Sequence, residues 1–213
     1  MKITPALLAI LVYSGAWAQT PQPSAYGRFP DTLDLRMSRD GRTATLLAPF
    51  EFIDQRSKKW LAPKGVTVDG ASIPQVLWSV VGSPWTGRYR EASVVHDFYC
   101  DTRTEPWQSV HRVFYDAMLA NGVEELQAKI MYAAVYRFGP RWDFKYTPVC
   151  KNCLAVPYQV PFYRPEPDVV EAEKLKNKVQ AQNMSLEEIE KEGEAGFQAE
   201  VRVLELGTPQ LVR

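Results

Sequence analysis

Histidine and cysteine, the side chains that most often bind metals or take part in catalysis, are scarce in this chain. There are two histidines and three cysteines among 213 residues. Lysine and arginine balance aspartate and glutamate, so the formal net charge is zero, which argues against the basic surface that nucleic-acid binding requires. No apolar run after residue 18 is long enough to cross a bilayer. We therefore expect no nucleic-acid partner and no transmembrane span in the mature protein.

The first segment, MKITPALLAILVYSGAWA over residues 1–18, has the layout of a secretory signal peptide. Lys2 gives a positive start, an apolar stretch follows, and Ala16 and Ala18 flank Trp17 as a small-x-small cleavage site. We predict cleavage after Ala18 and a protein that is secreted or periplasmic.

The three cysteines are Cys100, Cys150 and Cys153. An odd number in an oxidising compartment leaves one thiol over after pairing. A zinc knuckle would need a second closely spaced pair, which the sequence lacks. We expect one structural disulfide that joins Cys100 to either Cys150 or Cys153.

The sequence divides into five segments. We predict a mainly α, α+β fold in which a small antiparallel β-hairpin or sheet packs on a three-helix core. The proposed segments are a signal peptide (1–18), an extended lead-in (19–42), a core domain (43–142), an irregular Pro- and Cys-rich wrapping segment (143–167) and a charged helical tail (168–213).

Within the core, residues 43–54 and 58–70 are rich in β-branched and aromatic residues and predict antiparallel strands. A short helix is expected between an N-cap at Ser72 and Gly82. Three further helices are expected over about 88–101, 106–120 and 124–138, the second ending at Asn121-Gly122 and the third at Gly139-Pro140. In the tail, Ser185 and Glu188 have the spacing of a capping box.

Both histidines lie on apolar helical stripes. His96 shares a face with Ala92, Val95 and Tyr99, and His111 shares one with Trp107, Val110, Phe114 and Met118. If the two helices form an antiparallel hairpin, its midpoint lies equally far from both histidines, so the two imidazoles should meet at the same height. Asp97 follows His96 by about 100° round the helix and should flank that face. Buried polar rings need partners, so each histidine is expected to bond the other ring, Asp97, a metal or water.

Four motifs in order resemble an uncharacterised family of phage and bacterial proteins, the domain of unknown function numbered thirteen-fifty-three. They are VTVDGASIPQVLW, GRYREASVVHDFYC, VHRVFYDAMLANGV and AKIMYAAVYRFGPRW. The resemblance covers about residues 43–142 and implies a shared fold without implying an activity.

The stretch from GSPW to VVHDFYC is also loosely similar to the active-site helix of secreted phospholipase A2. That likeness implies that His96 is a general base for water and that Asp97 is a calcium ligand beside the GSPWTG loop. It implies a lipid or small ester as substrate. The sequence departs from the likeness at His111, where the lipases place an aspartate, because a histidine cannot supply a negative charge to an imidazolium.

Three functions are compatible with these residues. The first is a phospholipase-like hydrolase with His96, Asp97 and His111 in its catalytic site and calcium as cofactor. The second is a zinc-dependent hydrolase in which His96, His111 and a carboxylate from Asp97, Asp101 or Asp69 hold the metal. The third is a non-catalytic binding or assembly module in which the histidine pair is structural.

Overall fold

The computed structural model describes residues 24–39, 41–70, 77–81, 85, 87–147, 156–161 and 167–207. These residues form a mixed α and β structure with six helices, two three-stranded antiparallel sheets and one two-stranded pair. In chain order the strands are β1 (Gly27–Arg28), β2 (Leu35–Met37), β3 (Ala44–Leu46), β4 (Phe50–Asp54), β5 (Lys59–Ala62), β6 (Thr67–Val68), β7 (Trp142–Thr147) and β8 (Val156–Pro161). The helices are α1 (Trp78–Val81), α2 (Arg90–Thr102), α3 (Trp107–Ala120), α4 (Glu125–Phe138), α5 (Val169–Gln182) and α6 (Leu186–Gly207).

The predicted antiparallel hairpin is present as β4 and β5, with Phe52 opposite Trp60. Both of these residues point into the core, while Lys59 and Leu61 on β5 face outward, as the two-residue period of a strand requires. The β region is larger than the single hairpin or sheet expected. The first sheet has the order β1-β4-β5 and the second has the order β2-β3-β6, so two pieces of the expected lead-in, β1 and β2, form outer strands.

Helices α2, α3 and α4 occupy the ranges expected from the apolar periodicity, and their ends have local causes. Arg103 takes a left-handed backbone conformation (φ 53°) directly after α2. Gly122 does the same (φ 75°) just after α3, where glycine has no Cβ to clash. α4 stops at Gly139 because the proline that follows disfavours helical backbone at the residue before it. Ser72 and Gly82, the expected bounds of the first helix, lie outside the described residues.

The segment 143–167 was expected to be irregular, but it contains most of β7 and all of β8, which form an antiparallel pair. Trp142 lies opposite Pro161 at one end of the pair, and Thr147 lies opposite Val156 at the other. Prolines are compatible with this arrangement because both strands of a two-stranded pair are edge strands, on which an absent N–H need not break a ladder.

The C-terminal helices dock on α4 through two buried arginines. Arg137 pairs with Glu171 on α5 at 2.8 Å, and Arg141, just after α4, pairs with Glu194 on α6 at 2.8 Å. The apolar residues Ala172, Val179, Met184 and Ile189, which lie on these helices or in the turn between them, are also buried. The capping box at the start of α6 is confirmed, since Ser185 Oγ accepts the Glu188 N–H and a Glu188 carboxylate oxygen accepts the Ser185 N–H. Among the described residues, no helix is both long and apolar enough to cross a membrane.

Gly193 allows α6 to approach α4 closely. A Cβ at this position would lie 2.7 Å from Tyr136 Cδ1. We predict that Gly193→Ala lowers the free energy of unfolding by about 1–3 kcal/mol, the usual cost of overpacking, although alanine favours helix by about 1 kcal/mol over glycine. Urea unfolding of the full chain checks this. Lys191→Ala, on the exposed side of α6, is the control and should change stability little. A more stable Gly193→Ala variant would contradict the close approach.

Candidate functional site

The two histidines meet in the core, as their spacing predicts. His96 on α2 and His111 on α3 are each 0% exposed. The Nε2 atom of His96 and the Nδ1 atom of His111 are 2.8 Å apart, within hydrogen-bonding distance. The α2–α3 hairpin produces this contact. Six residues follow His96 before α2 ends at Thr102, and four precede His111 after α3 begins at Trp107, so the two rings lie at similar distances from the turn.

Cys100 is the third member of the site, and the sequence interpretation missed it. Its Sγ atom lies 3.5 Å from His96 Nε2 and 3.8 Å from His96 Nδ1. Cys100 is 2% exposed and forms no disulfide with another described residue. Cys150 and Cys153, the partners expected from the sequence, lie outside the described part of the chain. The i, i+4 spacing of His96 and Cys100, which puts two side chains on one helical face, could have revealed this neighbour.

Aromatic rings surround the histidine pair. The ring centroid of Phe114 lies 4.7 Å from that of His96. Trp107 and Tyr136 lie 5.4 Å and 6.4 Å from His111, both edge to face. All three rings are buried. The polar atoms of the site therefore face one another inside an apolar shell.

Asp97 faces away from this group, as its angular offset from His96 predicts. One of its carboxylate oxygens accepts hydrogen bonds from the backbone N–H groups of Asp69 and Gly70, the second at 3.1 Å. Asp97 is 1% exposed, so its charge is held inside the protein by these donors. The backbone N–H of Asp69 is therefore the group through which Asp69 contacts the carboxylate of Asp97.

The carboxylates expected to complete a metal site do not join the histidines. Within the described residues, the nitrogen and sulfur atoms of His96, Cys100 and His111 form the one group of three or more such donors that lie within 4.8 Å of one another. Asp101 lies one turn beyond Asp97. The pKa of its carboxyl group is raised, because burial and the nearby charge of Asp69 outweigh the opposite effect of Arg103. Asp97, Asp69 and Asp101 stand outside the three-donor group.

The central part of the chain has known relatives. Residues 44–135 match the model of one family. Its description is "Protein of unknown function (DUF1353)". This match confirms the resemblance inferred from the four motifs, within slightly narrower bounds than 43–142.

Two similar proteins come from Sinorhizobium fredii. The chain is 44% identical over 119 residues to the uncharacterized protein y4iH, covering 54% of this chain and 50% of the relative. It is 47% identical over 100 residues to the uncharacterized protein y4jT, covering 47% of this chain and 30% of that relative. The chain thus spans half or less of each relative. No solved structure matches, and the likeness to secreted phospholipase A2 finds no support in these matches.

The contact between the two rings can be measured as a coupling energy. We predict that His96→Leu and His111→Leu are non-additive in the metal-free protein, with a coupling of about 0.5–3 kcal/mol, because residues that share a buried contact do not act independently. Urea unfolding of the two single variants and the double variant gives this value. The control cycle pairs His96→Leu with Ile189→Ala on α6 and should be additive. Additivity in the histidine cycle would show that the rings do not depend on one another.

Proposed function

We propose that this chain is a metal-binding protein whose centre is formed by His96, Cys100 and His111. The observation that carries the proposal is the convergence of two imidazole nitrogens and one thiol sulfur within 4.8 Å in the core. Two of the donors come from one face of α2 and the third comes from α3. The ion would therefore join the two helices of the hairpin.

The separations between donors suit a tetrahedral ion. Zinc binds nitrogen at about 2.0–2.1 Å and sulfur at about 2.3 Å, which at tetrahedral angles sets two nitrogens about 3.3 Å apart and nitrogen and sulfur about 3.6 Å apart. The distance from His96 Nε2 to Cys100 Sγ is 3.5 Å. The two imidazole nitrogens, now at 2.8 Å, would need to separate by about 0.5 Å, a movement that side-chain rotation can supply.

The donor types favour zinc over calcium. Imidazole and thiolate are ligands for zinc and other transition metals, whereas calcium takes six to eight oxygen ligands. Asp97, the calcium ligand implied by the phospholipase likeness, uses a carboxylate oxygen to accept two backbone N–H groups. A calcium-dependent lipase mechanism at His96 therefore has less support than a zinc centre.

The role of the metal in this proposal is structural. The three ligands are at most 2% exposed, and aromatic rings flank both imidazoles. Binding in the folded state alone adds stability by mass action, about 2.7 kcal/mol when free metal is one hundred times its Kd. We propose a metal-stabilised binding or assembly module, exported through the leader expected over residues 1–18.

A zinc-dependent hydrolase is the second candidate, and the number of ligands favours it. Catalytic zinc sites keep three protein ligands and leave a fourth position for water. His96, Cys100 and His111 provide three donors. A lipid or small ester would be the substrate. Burial of all three ligands counts against this second role, because water and substrate must reach the ion.

Metal content tests the first proposal directly. We predict about one zinc per chain, by inductively coupled plasma mass spectrometry, in protein purified with zinc and dialysed. Cys100→Ser changes one ligand atom and should lose most of that zinc, as should His96→Ala and His111→Ala. The control is Ser93→Ala, which removes a buried hydroxyl from the same helix and should keep the metal. Zinc-free wild-type protein, or equal zinc in Cys100→Ser, would refute the proposal.

Ester hydrolysis separates the two candidates. With a structural metal, we predict that wild-type protein supplied with zinc or calcium hydrolyses phospholipid vesicles and short p-nitrophenyl esters no faster than buffer. The matched sample is His96→Ala, checked for folding by circular dichroism. Turnover that appears in the wild type and disappears in a folded His96→Ala variant would instead support the hydrolase.

A further inference from the structure

Asp97 occupies an unusual position beside the three donors. It lies between His96 and Cys100 in the sequence of α2, yet its carboxylate points to the end of β6. It is 1% exposed, and Asp97 and Asp116 are the two buried acidic residues in the described core. A buried carboxylate is costly unless hydrogen bonds hold it, so its bonds to the Asp69 and Gly70 amides are a fixed part of the fold.

The partner of Asp97 is a pair of consecutive backbone amides. Gly70 has a φ of +104°, a conformation that side-chain-bearing residues rarely adopt. This backbone conformation lets the N–H groups of Asp69 and Gly70 point at the same carboxylate oxygen. Successive amides that converge in this way form a concavity that binds anions. Such charge-assisted bonds are roughly twice as strong as neutral ones.

A rotation of α2 about its axis would move the carboxylate of Asp97 away from the two amides. Adjacent helical residues differ by about 100°, so Asp97 and the face that carries His96 and Cys100 are fixed relative to one another. While the carboxylate of Asp97 stays at the two amides, α2 cannot turn about its axis. His96 and Cys100 are thereby kept facing His111 on α3.

We propose that Asp97 is a positioning residue for the metal centre: by binding the Asp69 and Gly70 amides it fixes the rotation of α2 and so presents His96 and Cys100 to the ion. This inference rests on the proposed metal centre. In it, Asp97 orients two of the metal ligands and does not bind the ion itself. Partners that orient metal ligands typically change metal affinity 10- to 100-fold when they are removed.

The test measures metal affinity in folded protein. Zinc Kd values would be determined by competition with a chromogenic chelator for wild type, Asp97→Asn and Asp97→Ala. Asparagine keeps an oxygen that can accept hydrogen bonds from the two amides but has no charge, so we expect the zinc Kd to rise by a few fold. Alanine removes the acceptor, so we expect the Kd to rise by about 10- to 100-fold. The control is Asp101→Asn. It removes a negative charge from an exposed residue that lies one turn after Asp97 on α2, and it should leave the Kd unchanged.

A second readout reports the geometry of the ligands. The visible absorption of bound Co²⁺ should shift in Asp97→Ala relative to wild type and stay unchanged in Asp101→Asn. If Asp97→Ala does not fold, the decision rests on Asp97→Asn, whose Kd must rise. An unchanged Kd and an unchanged Co²⁺ spectrum in the folded Asp97 variants would overturn the positioning role. Wild-type protein that takes up neither zinc nor cobalt would overturn the metal centre itself, which is a different result.

Discussion

The core of this protein must satisfy two imidazoles and one thiol that are sealed from water. His96 and His111 are completely buried, and Cys100 is nearly so. Polar groups in such a place need partners, because an unsatisfied one costs about 1–3 kcal/mol. The α2–α3 hairpin brings the three side chains close enough to hydrogen-bond one another or to bind a shared ion. This constraint explains why the two helices must lie at one relative height and why α2 must hold one rotation.

The rest of the described structure supports that arrangement from two sides. The sheets hold α2 through Tyr99, whose hydroxyl oxygen accepts the Leu61 N–H, and through Asp97 at the end of β6. α4 closes the other side with Tyr136 next to Trp107 and His111. The C-terminal helices then cover α4, where Glu171 pairs with the buried Arg137 on α4 and Glu194 pairs with the buried Arg141 just after it. The charged tail is thus coupled by packing to the helix that borders the site.

Local sequence rules predicted the helices, the β4–β5 hairpin and the histidine contact because each depends on periodicity or on residues close in the chain. The apolar stripes around His96 and His111 were sufficient to bring the rings together. The sequence did not predict the partner of Asp97, since Asp69 and Gly70 approach it only through the tertiary fold. The number of cysteines led to the expectation of a disulfide at Cys100, whereas its i, i+4 spacing from His96 is the feature that places it beside that ring. β7 and β8 were missed because the many prolines in and around residues 143–167 suggested irregular structure.

The match of residues 44–135 to a family of unknown function places the hairpin and its histidines inside the shared region. The central claim is that His96, His111 and Cys100 bind one ion. X-ray absorption at the zinc edge of the purified full-length protein tests it most directly. The account predicts nitrogen neighbours at about 2.0–2.1 Å together with one sulfur at about 2.3 Å, and loss of the sulfur shell in Cys100→Ser. A shell made only of oxygen, or a sulfur shell that persists in Cys100→Ser, would contradict it.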